Sequence, residues 1–573
     1  MVGVRSSRDT DGVARLAVSR WAGFAGAVGL AAAGYAGGAL PEANLRSTLG
    51  SILRDQPGAV VLFLAGAGLL CWAWARLAKT ALTVRWVLVT AALWAVPLLV
   101  APPLTSRDVY AYACQGETFA SGLSPYEQGV AALPCTWLDT VSHIWRDTPA
   151  PYGPGFVLIA GAVAGLAGGN LLAAVALFRV AALGGLLLIA WQLPVLARRC
   201  GVAEDRALWL GLAGPLTGLH LVSGAHNDAL MMGFVLAGLA VAAGPAAREV
   251  AGPDSNWWRR ALVAGALFGL ALSIKVTAVV AAPFAALLLA RPARFAPAGP
   301  LAATGGYGRS THAVLPPGYR PAAGATAPAP PPSEPQPPPR TTQSPETPPS
   351  PPQRLTRPSS AELTALLARP ALLIAATATL TLLLISAATG LGLGWLGGLA
   401  RSGDSSQWTS LPTGAGWGLD YLGKLFGVHG LAKTTVPAAR ALAVLALAAI
   451  LVTLFFRTLK KASTSTGTSA SRDIVVSAGW ALAWTVLLAP VFHPWYALWP
   501  LLVLAAGGTA YKEMVFGSVF LTFLVLPDGF NLARVTKLPG SLLMLLLALG
   551  GTILLLRRGT RAWARRRAAH RPL

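Results

Sequence analysis

With 573 residues, of which 54% are hydrophobic and only 12% charged, the chain lies far from soluble proteins, which carry about 25% charged residues. Its net charge of +23 is scattered between apolar runs and not gathered into a basic domain, so a nucleic-acid-binding module is set aside along with a soluble enzyme. What remains is a polytopic membrane protein.

Apolar runs of about 16–27 residues recur near 20–40, 57–77, 83–102, 171–197, 206–223, 228–246, 260–274, 276–291, 370–390, 436–457, 473–490, 494–509, 512–527 and 540–556. Each approaches the length that crosses about 30 Å of hydrocarbon. Arg5, Arg8, Arg15 and Arg20 precede or begin the first run, and no small-residue cleavage site follows, which predicts an uncleaved first helix. Lys and Arg favour the cytoplasmic side. The clusters Arg76/Lys79/Arg85, Arg198/Arg199/Arg206, Arg259/Arg260, Arg291/Arg294, Arg457/Lys460/Lys461 and the tail from Arg557 all fall there if 154–168 is a juxtamembrane or re-entrant helix and not a span. The expected fold is therefore an all-α bundle of about fourteen transmembrane helices with both termini inside.

Residues 292–366, rich in Pro, Ser and Thr, cannot bury a core and are expected to be a disordered cytoplasmic linker. They separate an N-terminal bundle (1–291) from a C-terminal bundle (367–556), which a basic cytoplasmic tail (557–573) follows. The outer loop 103–153 carries Asp108, Glu117, Glu127, Asp139 and Asp147 against only Arg107 and Arg146. Cys114 and Cys135 share that loop. An oxidising exterior permits a disulfide between them, with Cα atoms within about 7 Å, two free thiols being the alternative. A second outer loop, 391–435, is rich in aromatic residues, among them Trp395, Trp408, Trp417 and Tyr421. Such rings suit the apolar faces of sugars and also serve as interfacial anchors.

If 107–120 forms a surface helix, Asp108, Tyr112, Gln115 and Phe119 share one face; Ser106 or Asp108 can equally be a plain helix cap. In TPAPYGPG, 148–155, prolines fix the re-entry of the chain around Tyr152. HLVSGAHNDALMMG, 220–233, puts His220, His226, Asn227 and Asp228 at a membrane edge, where ionisable residues are costly and are functional candidates. These side chains are compatible with a divalent cation but form no specific metal motif. Lys275 interrupts an apolar stretch at a cost of about 2.5–3.5 kcal/mol in mid-bilayer, which two short helices meeting at Lys275 avoid. FHPWY, 492–496, places His493, Trp495 and Tyr496 at another outer junction.

In this order, SRDVYAYACQGE, GLSPYEQG, TPAPYGPG, HLVSGAHNDALMMG, the IKV break and FHPWYALW resemble the polyprenol-phosphomannose-dependent α-1,6-mannosyltransferases of actinobacteria. The resemblance implies a bundle like that of GT-C glycosyltransferases, with juxtamembrane helices in the first large outer loop and a plasma-membrane site open to the outside. It implies that Asp108 is the catalytic base for mannose transfer from polyprenyl-phosphate-mannose, with inversion, to the α-1,6-mannan of lipomannan or lipoarabinomannan. Expected substrate contacts are Arg107, Tyr110, Tyr112, Gln115, Tyr126, Tyr152, His226, Asn227, Asp228, Lys275, His493, Trp495 and Tyr496. Lys275 would offset the phosphate charge. The expected partners are the lipid-linked donor, the lipoglycan acceptor and membrane lipids, with no nucleic acid. A lipid-linked sugar transporter or flippase, or a transferase of another polyprenyl-phosphate sugar, is the alternative; no internal two-fold repeat supports a transporter.

Overall fold

The computed structural model describes residues 7–41, 48–133, 135–245, 256–290, 360–401, 406–462, 465 and 467–569. Most of the Pro-rich linker, up to residue 359, lies outside the described residues. Within them the chain is helical, its one β contact being an isolated antiparallel bridge between Val525 and Asn531. Among the described residues, six helices are long and apolar enough to cross a membrane: Ala14–Gly37, Pro57–Lys79, Leu171–Arg199, Leu367–Thr389, Ala432–Ala462 and Lys537–Leu554. Thr217–Ser223 and Asp228–Ala243, bent by 109° at their junction, make a seventh if counted together. Other apolar runs fold as shorter helices, Val84–Val100, Pro154–Ala167, Val276–Leu289 and Pro494–Gly507. The chain is an all-α membrane protein.

Small residues bring the first helices together. A methyl group at Gly26 would strike the backbone of Gly66 and Leu70, and one at Gly66 would strike that of Gly26 and Leu30. Helices in lipid gain association from such close backbone contact, because apolar surface alone does not distinguish a neighbour from an acyl chain. Deeper in the bundle Trp74 and Trp209 stack with ring centroids 5.0 Å apart, and each indole N–H donates to the other residue's carbonyl. By contrast, Ala432–Ala462 buries only 6% of its apolar window inside the protein, leaving the rest for lipid.

The breaks between helices build the site. Arg179, on Leu171–Arg199, donates to the carbonyls of Leu99, Ala101 and Ser223 at 2.7, 2.6 and 3.2 Å. It thereby supplies partners to carbonyls where Val84–Val100 and Thr217–Ser223 end. The latter is a π-helical turn, followed by Ala225 in the left-handed region at φ 49°. π-Turns are rare and concentrate at functional sites. A further break follows Trp257–Ile274, where Lys275 is extended (φ −153°, ψ 125°) before the chain resumes its helical course. The 148–155 turn docks on that break: Gly153 N–H donates to Ile274 O at 3.1 Å, and a side chain at Gly155 would collide with Ser273. This docking sets Tyr152 beside Lys275.

Candidate active site

Asp108 opens the helix Asp108–Ala120 and is buried. Ser106 Oγ caps its amide at 3.2 Å. The carboxylate accepts from the Trp145 indole N–H at 2.9 Å through Oδ1, while Oδ2 lies 3.5 Å from His226 Nδ1. Tyr112, one turn along, places its hydroxyl 3.5 Å from the same nitrogen, at the outer limit of hydrogen bonding. Burial pushes the Asp108 carboxyl up to about 6, against the opposing pull of the Trp145 hydrogen bond and the positive charge of Lys275.

A second carboxylate follows His226 by two residues. Asp228 Oδ1 accepts from Lys275 Nζ at 2.9 Å and from Trp499 Nε1 at 2.6 Å. The ammonium lies over the rings of Tyr496, Trp499 and Tyr152, at 4.9, 5.3 and 5.8 Å from their centroids. Such faces attract a cation while shielding it from water. Trp495 is sandwiched between two imidazoles, His226 at 4.1 Å and His493 at 4.5 Å, and Tyr496 stacks on Trp499 at 4.5 Å. Tyr112 meets Tyr152 edge-on at 5.2 Å, joining the two halves of the site.

Several buried polar atoms here have no hydrogen-bond partner: Asp228 Oδ2, His226 Nε2, Gln115 Oε1 and both side-chain atoms of Asn227. A buried polar atom without a partner carries a desolvation penalty of about 1–3 kcal/mol. A group of them beside aromatic faces suits a ligand rich in hydroxyls. Among the described residues no group of three His, Cys, Asp or Glu side chains is arranged to hold a metal ion.

Of the residues singled out from sequence, Asp108, Tyr112, Tyr152, His226, Asp228, Lys275, His493, Trp495 and Tyr496 form one connected cluster. Gln115 and Asn227 are buried with unpartnered atoms. Three others have their polar groups engaged within the protein. Tyr110 donates to Ala39 O, and Tyr126 donates to Tyr152 O at 2.9 Å. Arg107 forms a buried ion pair with Asp528 and donates to two carbonyls. Trp145 and Trp499, the indole donors to the two carboxylates, were not singled out. Trp499 follows Tyr496 by three residues and so shares its face, a signal available in the sequence; Trp145 offered only its place in the acidic loop. Cys114 and Cys135 are disulfide-bonded, Cα atoms 5.3 Å apart, which ties the Asp108 helix to that loop.

Comparison with known proteins bears on this arrangement. Residues 20–291 match the family model of the α-(1→6)-mannopyranosyltransferase N-terminal domain, and residues 412–555 match that of the MptB C-terminal domain. The chain is similar to α-(1→6)-mannopyranosyltransferase A of Mycobacterium tuberculosis, 31% identical over 523 residues covering 88% of this chain and 84% of the relative. To α-(1→6)-mannopyranosyltransferase B of Corynebacterium glutamicum it is 26% identical over 563 residues, covering 92% and 81%. No solved structure matches it. The first match holds the cluster residues from Asp108 to Lys275 and the second holds His493, Trp495 and Tyr496; with similarity extending over most of both chains, this protein belongs to the α-(1→6)-mannopyranosyltransferase family.

Proposed function

We propose that the chain is an inverting mannosyltransferase. It takes mannose from polyprenyl-phosphate-mannose at the outer face of the plasma membrane and adds it to an α-1,6-mannan acceptor of the lipomannan or lipoarabinomannan type. The observation that carries this reading is the buried Asp108, held by Trp145 and set against His226 beside the Lys275–Asp228 pair. The relatives' names supply the sugar and the linkage.

In the proposed reaction an acceptor 6-hydroxyl forms the new bond to the anomeric carbon as the bond to the polyprenyl phosphate breaks on the opposite face. Asp108 takes the hydroxyl proton as general base, and the departing phosphate carries the bonding electrons. Lys275 stabilises that developing charge without leaving its aromatic surroundings. The unpartnered atoms of Asp228, Asn227 and Gln115 meet sugar hydroxyls. Membranes given labelled donor and a short α-1,6-mannoside should yield an acceptor lengthened by one α-linked mannose. Movement of labelled donor across the bilayer with no lengthened product would indicate transport and sink the reading.

A pH profile follows from the buried base. Transfer requires the Asp108 carboxylate, so kcat/KM should fall as pH drops through about 6, where an exposed aspartate would hold activity to near pH 4. A limb near pH 4 would contradict Asp108 as base.

The proposal includes about fourteen spans with residues 292–366 inside the cell, as the basic loops favour. A cysteine introduced at position 335 should resist an impermeant thiol reagent in intact cells and react after lysis. Labelling from outside would reverse the topology.

A further inference from the structure

The residue immediately before the base is held by a segment from the far end of the chain. Arg107 Nε and Nη2 both reach Asp528 Oδ1, at 2.7 and 2.6 Å, and both side chains are buried. Nη1 also donates to Thr140 O at 3.2 Å and Nη2 to Leu40 O at 2.9 Å. Asp528 sits at the tip of a tight turn, in the left-handed region at φ 60°. The turn is closed by Leu526 N–H donating to Phe530 O at 2.9 Å and by the Val525–Asn531 bridge. From the same tip the Asp528 amide donates to Leu104 O at 2.9 Å, and Gly529 lies against the backbone of Thr105 and Ser106. Asn531 in turn donates to Gln407 Oε1 at 3.1 Å.

So residues 104–107 are gripped by main chain and side chain together, just before Asp108. Buried ion pairs are poor sources of stability, since desolvating both charges offsets their attraction. A planar guanidinium with four bonds, however, permits little displacement of its own backbone. We propose that Asp528 is a positioning residue for the transfer reaction, fixing Asp108 through Arg107 and making the base's placement depend on the C-terminal half of the chain. This rests on Asp108 being the base. Asp528 makes its polar contacts with Arg107 and Leu104 and with none of the residues proposed to meet the sugar or the phosphate, so substrate binding should be little affected, whereas a misplacement of about 1 Å in a reacting group can cost about 10²-fold in rate.

The experiment is the labelled transfer assay on full-length variants in membranes. Asp528→Asn should lower kcat roughly 10- to 100-fold with KM for donor and acceptor within about twofold, and Arg107→Lys should act alike. Asp528→Glu, which keeps the charge, should recover part of the rate; if Asp528→Asn fails to accumulate, Arg107→Lys carries the test through its loss of kcat at unchanged KM. On an Asp108→Asn background Asp528→Asn should add no further loss, because residues acting as a unit are non-additive. Wild-type kcat in Asp528→Asn, or the same fold loss on both backgrounds, would overturn the proposal while leaving Asp108 as base. Near-normal turnover of Asp108→Asn alone would overturn the base assignment, and this positioning role with it.

Discussion

Asp108→Asn should reduce sugar transfer by about 10²–10⁴-fold, the usual contribution of a general base, while the protein inserts and folds normally. The asparagine side chain has nearly the same shape, and its oxygen still accepts the Trp145 indole N–H that holds Oδ1 in the wild type. The negative charge and the capacity to take up a proton are lost. Asp139→Asn and Asp147→Asn serve as controls in the same loop. Both side chains are exposed, and near-wild-type rates are expected for each. If Asp108→Asn retained near-normal turnover, Asp228 would be the next base to test, because its Oδ2 is buried and unpartnered.

A second large effect is expected at Lys275, and it separates folding from catalysis. Lys275→Ala removes the ammonium that pairs with Asp228 and leaves a buried carboxylate held only by Trp499. Breaking a buried pair from one side costs about 3–5 kcal/mol, so the amount of folded protein should fall. Lys275→Ala combined with Asp228→Asn removes the stranded charge and should restore accumulation. Transfer should not return with it. The donor phosphate would still lack its cation, and a charge-assisted hydrogen bond of about 1.5–3 kcal/mol corresponds to roughly 10- to 150-fold in donor use. A double variant that accumulates and transfers at the wild-type rate would show that Lys275 serves Asp228 and not the donor.

How much of this was legible in the sequence depended on the kind of residue. An ammonium amid apolar residues has few tolerable surroundings, so Lys275 announced the helix break observed there. Asp108 and the His226–Asp228 motif stood out for the same reason, as polar groups at the ends of apolar runs. Their indole partners did not, because nothing local says which acceptor a tryptophan will meet. Trp499 and Asp228 are 271 positions apart, and Arg107 and Asp528 are 421 apart; such pairs are decided by how the helices pack. Hydropathy also reads composition and not direction. It cannot see that the chain turns by 109° between Ser223 and Asp228, and the short or bent elements around such breaks are where the run of apolar residues and the continuous helix part company.

The bridge between Cys114 and Cys135 bears on how the protein is made. It fastens the helix that begins with Asp108 to its own loop, and closing a loop of this size restricts the unfolded chain by about 3 kcal/mol. Oxidation is then a step in maturation. A preparation synthesised in a reducing extract, or solubilised with dithiothreitol, would contain correctly inserted helices carrying a slack outer loop, and its low activity could be mistaken for a missing partner. Production in a host with an oxidising envelope, and purification without thiols, would keep the loop in its working form.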